Sequence, residues 1–327
     1  MAAVLGLAIL TPCSALALNS GNLVFTALNA DEDGWAMVAL VDIPANTTIY
    51  FSDNEWDTIA LPLAFNTGES FSQWLTGSAL IPAGTVIRFS AVDSSTLLAS
   101  SIGTFSRVTV SGSASWGLSS TSETVYAYEG SSATAPTRFL SAITNAGSFN
   151  NTDGPNTNTG LTTSTGAVVS TVTGVFTPDF MEFTGLRNNQ TSFAAYLPII
   201  CNTATGWFLD GANGVFGSSI PNTTSFTLSP VAAVSVDDVA VAEGNSGTST
   251  LSFTVTRSIT TGAFTVNYAT ADATATAPSD YVSTSGTLTF TAGGAATQTV
   301  SVTINGDATQ EPDEIFQLNL RDRKSVV

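Results

Sequence analysis

Leu251-Ser252-Phe253-Thr254-Val255 and, further on, Val300-Ser301-Val302-Thr303-Ile304 alternate apolar and polar side chains without a break. Successive residues of an extended strand point to opposite faces, so each stretch lays its apolar groups on one side and its hydroxyls on the other. The same period recurs in Phe264, Val266 and Tyr268, in Leu288 and Phe290, and in Phe316, Leu318 and Leu320. These runs between Val234 and Leu320 predict a β-sandwich whose sheets each have one wet surface.

Just before the last run comes a carboxylate-rich loop, Gly306-Asp307-Ala308-Thr309-Gln310-Glu311-Pro312-Asp313-Glu314-Ile315-Phe316. Carboxylates packed so closely repel one another unless a cation stands among them. An all-oxygen cluster suits a hard ion such as Ca²⁺ better than zinc or copper.

The 327 residues exceed one ordinary domain and, at 43% hydrophobic, are ample for packed cores, so two domains are expected. Eight basic against 25 acidic residues give a formal charge of −17, which repels phosphate backbones and anionic lipid surfaces while drawing cations. Direct nucleic-acid binding is therefore not expected. The chain has no histidine, which removes Ser-His and Cys-His catalysis and imidazole metal sites. No pair of carboxylates stands at a spacing that singles out a glycosidase site, and no catalytic residue is assigned.

Residues 1–18 read as a secretory signal: an apolar run with Ala15 and Ala17 placed for cleavage before Asn19, although no Lys or Arg precedes it. An extracellular or cell-surface location follows, with no membrane span in the mature chain. Removal of Cys13 with the signal leaves Cys201 as the only thiol. Disulfides therefore cannot hold the fold, and Cys201 reads as a small buried hydrophobe.

From Asn19 to Pro230 short apolar runs alternate with turn residues, and no 3.6-residue period is sustained, which predicts a second all-β region. Trp35 to Val41 is almost continuously apolar, as a strand covered on both faces would be. Ile43-Pro44-Ala45-Asn46 and Ile81-Pro82-Ala83-Gly84 are two similar turns, each leading into an alternating strand. Asn29 to Gly34 has oxygen-bearing residues at alternate positions, as half a calcium loop does. The closing Glu is replaced by Leu40, so a polar hairpin turn is the better reading. Asp53, Glu55 and Asp57 alternate as the face of an extended strand would, which reads as a solvated edge.

The Asn29 to Gly34 turn, the two Ile-Pro-Ala turns, Thr124 to Gly130 and Phe139 to Ile143 together resemble a lamin-tail-like module of secreted bacterial proteins. Some hosts of that module carry a nuclease or phosphatase domain downstream. The resemblance implies an attachment or scaffold module and brings no catalytic residue.

The region 231–320 resembles a Calx-beta domain, through Glu243-Gly244, Pro278-Ser279-Asp280-Tyr281, Thr291-Ala292-Gly293-Gly294, and Gly306-Asp307 with Glu311, Asp313, Glu314 and Phe316. That family has an immunoglobulin-like sandwich and occurs in sodium/calcium exchangers, integrin subunits and bacterial surface proteins. The resemblance implies Ca²⁺ ligation by Glu243, Asp280, Asp307, Glu311 and Glu314, with the alternative that these residues serve only as loop caps. After Leu320 the family continues into a further strand, whereas this chain has Arg321 to Val327, holding three of its eight basic residues. A truncated domain with a foreign or frame-shifted tail at 321–327, lacking its last strand, is expected.

The function expected is a secreted or cell-surface calcium-binding adhesion or scaffold protein, with cell-surface or matrix components as partners. The alternative is the non-catalytic front part of a larger secreted hydrolase.

Overall fold

Trp35 to Ala39 is buried at every position, as the absence of polar side chains requires of a strand packed above and below. In the computed structural model the described residues are 17–57, 63–113, 115–150, 154–170, 177–210, 215–230 and 232–322. Most of the signal-like segment, Cys13 included, lies outside them. The chain divides into two compact units, Met1–Ser229 and Pro230–Val327, and it is all-β.

In the first unit the strands are β1 (Leu23–Asn29), β2 (Gly34–Ala39), β3 (Thr48–Ser52), β4 (Trp56–Asp57), β5 (Ala64–Phe65), β6 (Phe71–Leu75), β7 (Val86–Ser90), β8 (Ala99–Ser100), β9 (Thr104–Arg107), β10 (Thr124–Ser132), β11 (Ala135–Thr144), β12 (Ala167–Val169), β13 (Phe180–Phe183) and β14 (Trp207–Asp210). One six-stranded sheet has the order β14-β13-β1-β2-β7-β8 and the other β12-β11-β10-β3-β6-β9. They meet face to face through aromatic rings: Trp35 of β2 lies 5.1 Å from Phe51 of β3 and 5.9 Å from Phe105 of β9, centroid to centroid. On β10, Val125 and Ala127 turn into this core. Tyr126 and Tyr128 turn the other way, into a second apolar layer with Trp56, Phe65 and Phe139. The period of two therefore holds, but both faces are dry.

The polar turn between β1 and β2 is organised by Asn29, whose Oδ1 accepts the N–H groups of Asp31 (3.1 Å) and Glu32 (3.2 Å). The two Ile-Pro-Ala turns pair with each other: Ile43 N–H donates to Ile81 O at 2.9 Å and Ile81 N–H to Ile43 O at 3.0 Å. Asn46 and Gly84 fill the equivalent left-handed positions, at φ 58° and 87°. A Cβ on Gly84 would meet Phe226 O at 2.2 Å, so only the Asn46 turn tolerates a side chain. A single helical turn, α1 (Leu197–Ile200), precedes Cys201, which is 3% exposed. Burial pushes its thiol up to about 12 and leaves it inert.

The second unit contains β15 (Val234–Val236), β16 (Gly247–Arg257), β17 (Phe264–Asp272), β18 (Ser285–Phe290), β19 (Thr297–Gly306) and β20 (Phe316–Asp322). They form the sheets β15-β16-β19 and β18-β17-β20. Along β16, Leu251, Phe253 and Val255 are buried while the Ser and Thr between them are exposed. Phe253 reaches across to Phe316 of β20 at 5.9 Å, and Phe316 stacks on Tyr281 at 4.3 Å. Val255, Phe290, Val300 and Val302 are at most 2% exposed, each contributing roughly 1.5–3 kcal/mol by leaving water. β20 pairs with β17 as far as Val266↔Asp322. The strand thus runs two residues into the segment read from sequence as a foreign tail, and 323–327 lie outside the described residues.

Candidate metal centre

β19 ends at Gly306, opposite Gly247 at the start of β16. A Cβ on Gly306 would stand 2.7 Å from Gly244 O, so the missing side chain lets the two connections touch. Glu243 thereby reaches Asp307, its Oε1 accepting the Asp307 N–H at 3.2 Å. Asp307 Oδ1 then accepts the Thr309 N–H at 2.6 Å and turns the chain into the acidic loop.

The connection from β17 to β18 approaches from the other flank by leaving its own sheet to pair with β19. Tyr281 bridges Ile304, Val282 N–H donates to Thr303 O, and Asn305 N–H donates to Asp280 O, both at 2.9 Å. The Asn305 amide adds bonds to Pro278 O (2.7 Å) and Ser279 O (3.2 Å). Asp280 is fixed in turn, its Oδ2 accepting the Thr276 N–H at 2.6 Å. Ala275 N–H donates to Ile315 O at 2.9 Å and Ile315 N–H to Thr274 Oγ1 at 2.8 Å, which brings Glu314 beside Asp280.

One carboxylate oxygen from each of Asp280, Glu311 and Glu314 lies within 4.8 Å of the others. Oxygens sharing one calcium at 2.3–2.6 Å stand no more than about 5 Å apart. The three therefore fit a common hard cation. Of the five residues singled out in the sequence, these three form the group, while Glu243 and Asp307 hold each other beside it.

All five belong to one field. Partial desolvation raises Glu311, and the charges of Glu314, Asp307, Asp280 and Glu243 add to that. Glu314 is raised by desolvation and then by the charge of Asp280, with a hydrogen bond to Asp280 in the same direction. Asp280 is lowered, first by the Thr276 N–H that it accepts. An ionised anchor thus sits beside two acids that its charge discourages from ionising.

The first unit holds acids of another kind. Asp53 is not on a solvated strand edge, as its alternation with Glu55 and Asp57 implied: β3 stops at Ser52, and Asp53 is 5% exposed. Its Oδ1 accepts both the N–H (2.7 Å) and the hydroxyl (2.8 Å) of Ser70, and Asn54 donates to Ser70 O at 2.9 Å. Those bonds pull the chain inward. Glu123, also 5% exposed, accepts the N–H groups of Ser119 (2.7 Å) and Thr124 (3.0 Å). Burial pushes Asp53 up to about 6 against the Ser70 bonds. It pushes Glu69 to about 7, helped by the charges of Asp53 and Glu55, and raises Glu123, helped by Asp53. Among the described residues no trio of these acids meets within 4.8 Å. The sequence showed no sign of this group, because Asp53, Glu69 and Glu123 are separated along the chain and meet only through the order β10-β3-β6.

Two antiparallel sheets with acidic connections gathered at one end define a β-sandwich module with a carboxylate-rich tip. Residues 229–326 match the family model of the Calx-beta domain, a family of calcium-binding, non-catalytic β-sandwich modules. Among solved structures, the apo-form Calx CBD1 domain is 30% identical, with a match covering 22% of this chain and 65% of that one at a TM-score of 0.22. Among curated proteins none matches. No helix among the described residues is long and apolar enough to cross a membrane.

Proposed function

We propose that this chain is an exported or cell-surface scaffold or adhesion protein whose second unit takes up Ca²⁺ through Asp280, Glu311 and Glu314. Glu243 and Asp307 add negative charge and, through water or a modest loop shift, further oxygens. The carrying observation is the convergence of three carboxylate oxygens within 4.8 Å from two inter-strand connections. A divalent ion there removes the repulsion that raises Glu311 and Glu314, and so ties the two connections together. Export is supported by the signal-like residues 1–18.

Calorimetry of the full chain tests the metal site. About 10 mM CaCl₂ should raise the unfolding transition of the second unit by about 5 °C, for a site of millimolar affinity. Glu311→Ala and Glu314→Ala should remove most of that shift. An unmoved wild-type transition, or shifts in both variants as large as in the unaltered chain, would sink the assignment. For export, residues 1–18 fused to a reporter should deliver it outside the cell; retention inside refutes that part.

A further inference from the structure

At the edge of the first unit, where the turn before β8 faces the end of β9, an open cleft of about 440 Å³ is lined by Leu98, Phe105, Ser106, Arg107, Ser113 and Trp116 among others. That volume falls within the roughly 300–1,000 Å³ of small-ligand sites. In a chain of charge −17, the lining contains a guanidinium and no carboxylate. Arg107 is held in place: its Nε and Nη2 donate to Val92 O at 3.2 and 2.7 Å, and its guanidinium lies 4.4 Å over the Trp116 ring. Among the described residues it makes no salt bridge. Ser106 and the exposed Thr109 add hydroxyls to the lining.

We propose that this cleft binds the anionic ring of an acidic saccharide, a pyranose bearing a carboxylate or a sulfate. The three kinds of lining group match the three chemistries of such a ring. Arg107 answers the anion by charge-assisted hydrogen bonds, Ser106 and Thr109 answer ring hydroxyls, and Leu98, Phe105 and Trp116 take the C–H edge. A neutral sugar would leave the guanidinium without its anion, and a bare anion would leave the hydroxyls and apolar wall unused. This site is independent of the calcium reading and stands in the other unit.

The test is titration of the full chain with glucuronate, glucose 6-sulfate, glucose and acetate, followed by calorimetry and by the NMR signal of the Trp116 indole N–H, assigned with Trp116→Phe. Glucuronate and glucose 6-sulfate should bind with Kd on the order of 1 mM and shift that signal. Glucose and acetate should each bind at least about tenfold more weakly. Arg107→Gln should abolish the preference for the charged sugars. Because Arg107 also holds Val92 O, Thr109→Trp, which puts a bulky group at an exposed lining position, should weaken both charged sugars at least about tenfold while leaving the melting temperature within about 2 °C. No shift with either charged sugar, equal binding of glucose or acetate, or undiminished binding in Thr109→Trp would overturn the proposal.

Discussion

In the first unit Asp53 and Glu123 are each 5% exposed and are surrounded by serine, asparagine and backbone donors. In the second, Glu311 and Glu314 stand in solvent beside a half-buried Asp280. Both places crowd negative charge, and neither includes a Lys or Arg close enough for a salt bridge among the described residues. What separates them is access to water. A buried carboxylate lowers its energy by keeping a proton, because losing it means paying for an unsolvated charge. An exposed cluster can instead attract an ion together with part of its hydration shell. One residue type thus yields a proton-holding interior in one unit and a cation-seeking tip in the other.

The largest expected effect is on the pH dependence of the first unit. Asp53 at about 6 and Glu69 at about 7 bind more protons folded than unfolded. Their contribution is complete below about pH 3, under the unfolded carboxylate range, and is lost as pH climbs toward and through 6 and 7. For buried Asp53 the loss approaches about 3 kcal/mol by pH 8. All five tryptophans lie in this unit, so urea unfolding followed by tryptophan fluorescence reads it directly: stability at pH 5 should exceed that at pH 8. Asp53→Asn keeps the oxygen that accepts from Ser70 and removes the titration. It should stabilise by about 2 kcal/mol at pH 8 and hardly at all at pH 4. A wild-type stability that rises between pH 5 and 8 breaks the contrast.

Next in size is selectivity for calcium between the units. Calcium should move the transition seen by tyrosine or circular dichroism, which includes Tyr268 and Tyr281, by about 5 °C and leave the tryptophan-detected transition in place. A smaller effect is competition by protons at the tip. With Glu311 and Glu314 both raised, calcium affinity should fall several-fold, on the order of fivefold, between pH 7 and pH 5, and binding should release protons. Proton release in both single variants undiminished from that of the unaltered chain would argue that neither carboxyl meets the ion. The smallest concerns Glu243→Gln, which keeps the oxygen that accepts the Asp307 N–H and removes one charge. A loss of affinity of about two- to threefold marks Glu243 as a charge contributor, and a loss above about tenfold makes it a direct ligand.

The sandwich of the second unit was legible because each strand has a wet and a dry face, so alternation in Leu251 to Val255 or Val300 to Ile304 states the strand and its orientation together. The acidic tip was legible for a related reason: Glu311 and Glu314 share one connection, and strand order had only to bring Asp280 to it. That Asp280 arrives by pairing with β19, across sheets, was not visible, since Asn305 and Tyr281 carry no local sign of their partners. In the first unit alternation found the strands after the two Ile-Pro-Ala turns but misplaced the acids that follow β3. Asp53 and Glu55 alternate, yet β3 ends before them and Ser70, from a different connection, takes Asp53 inward. Strands dry on both sides, such as Thr124 to Tyr128, likewise hide which face meets which layer.

The crossing of Asp280 to β19 has a mechanical consequence. β19 and β20 belong to different sheets, and so do β19 and the strands that flank Asp280. A bound ion would therefore rivet one sheet to the other beside the start of β20. Stretched at the single-molecule level, the second unit should yield at higher force in calcium than in chelator.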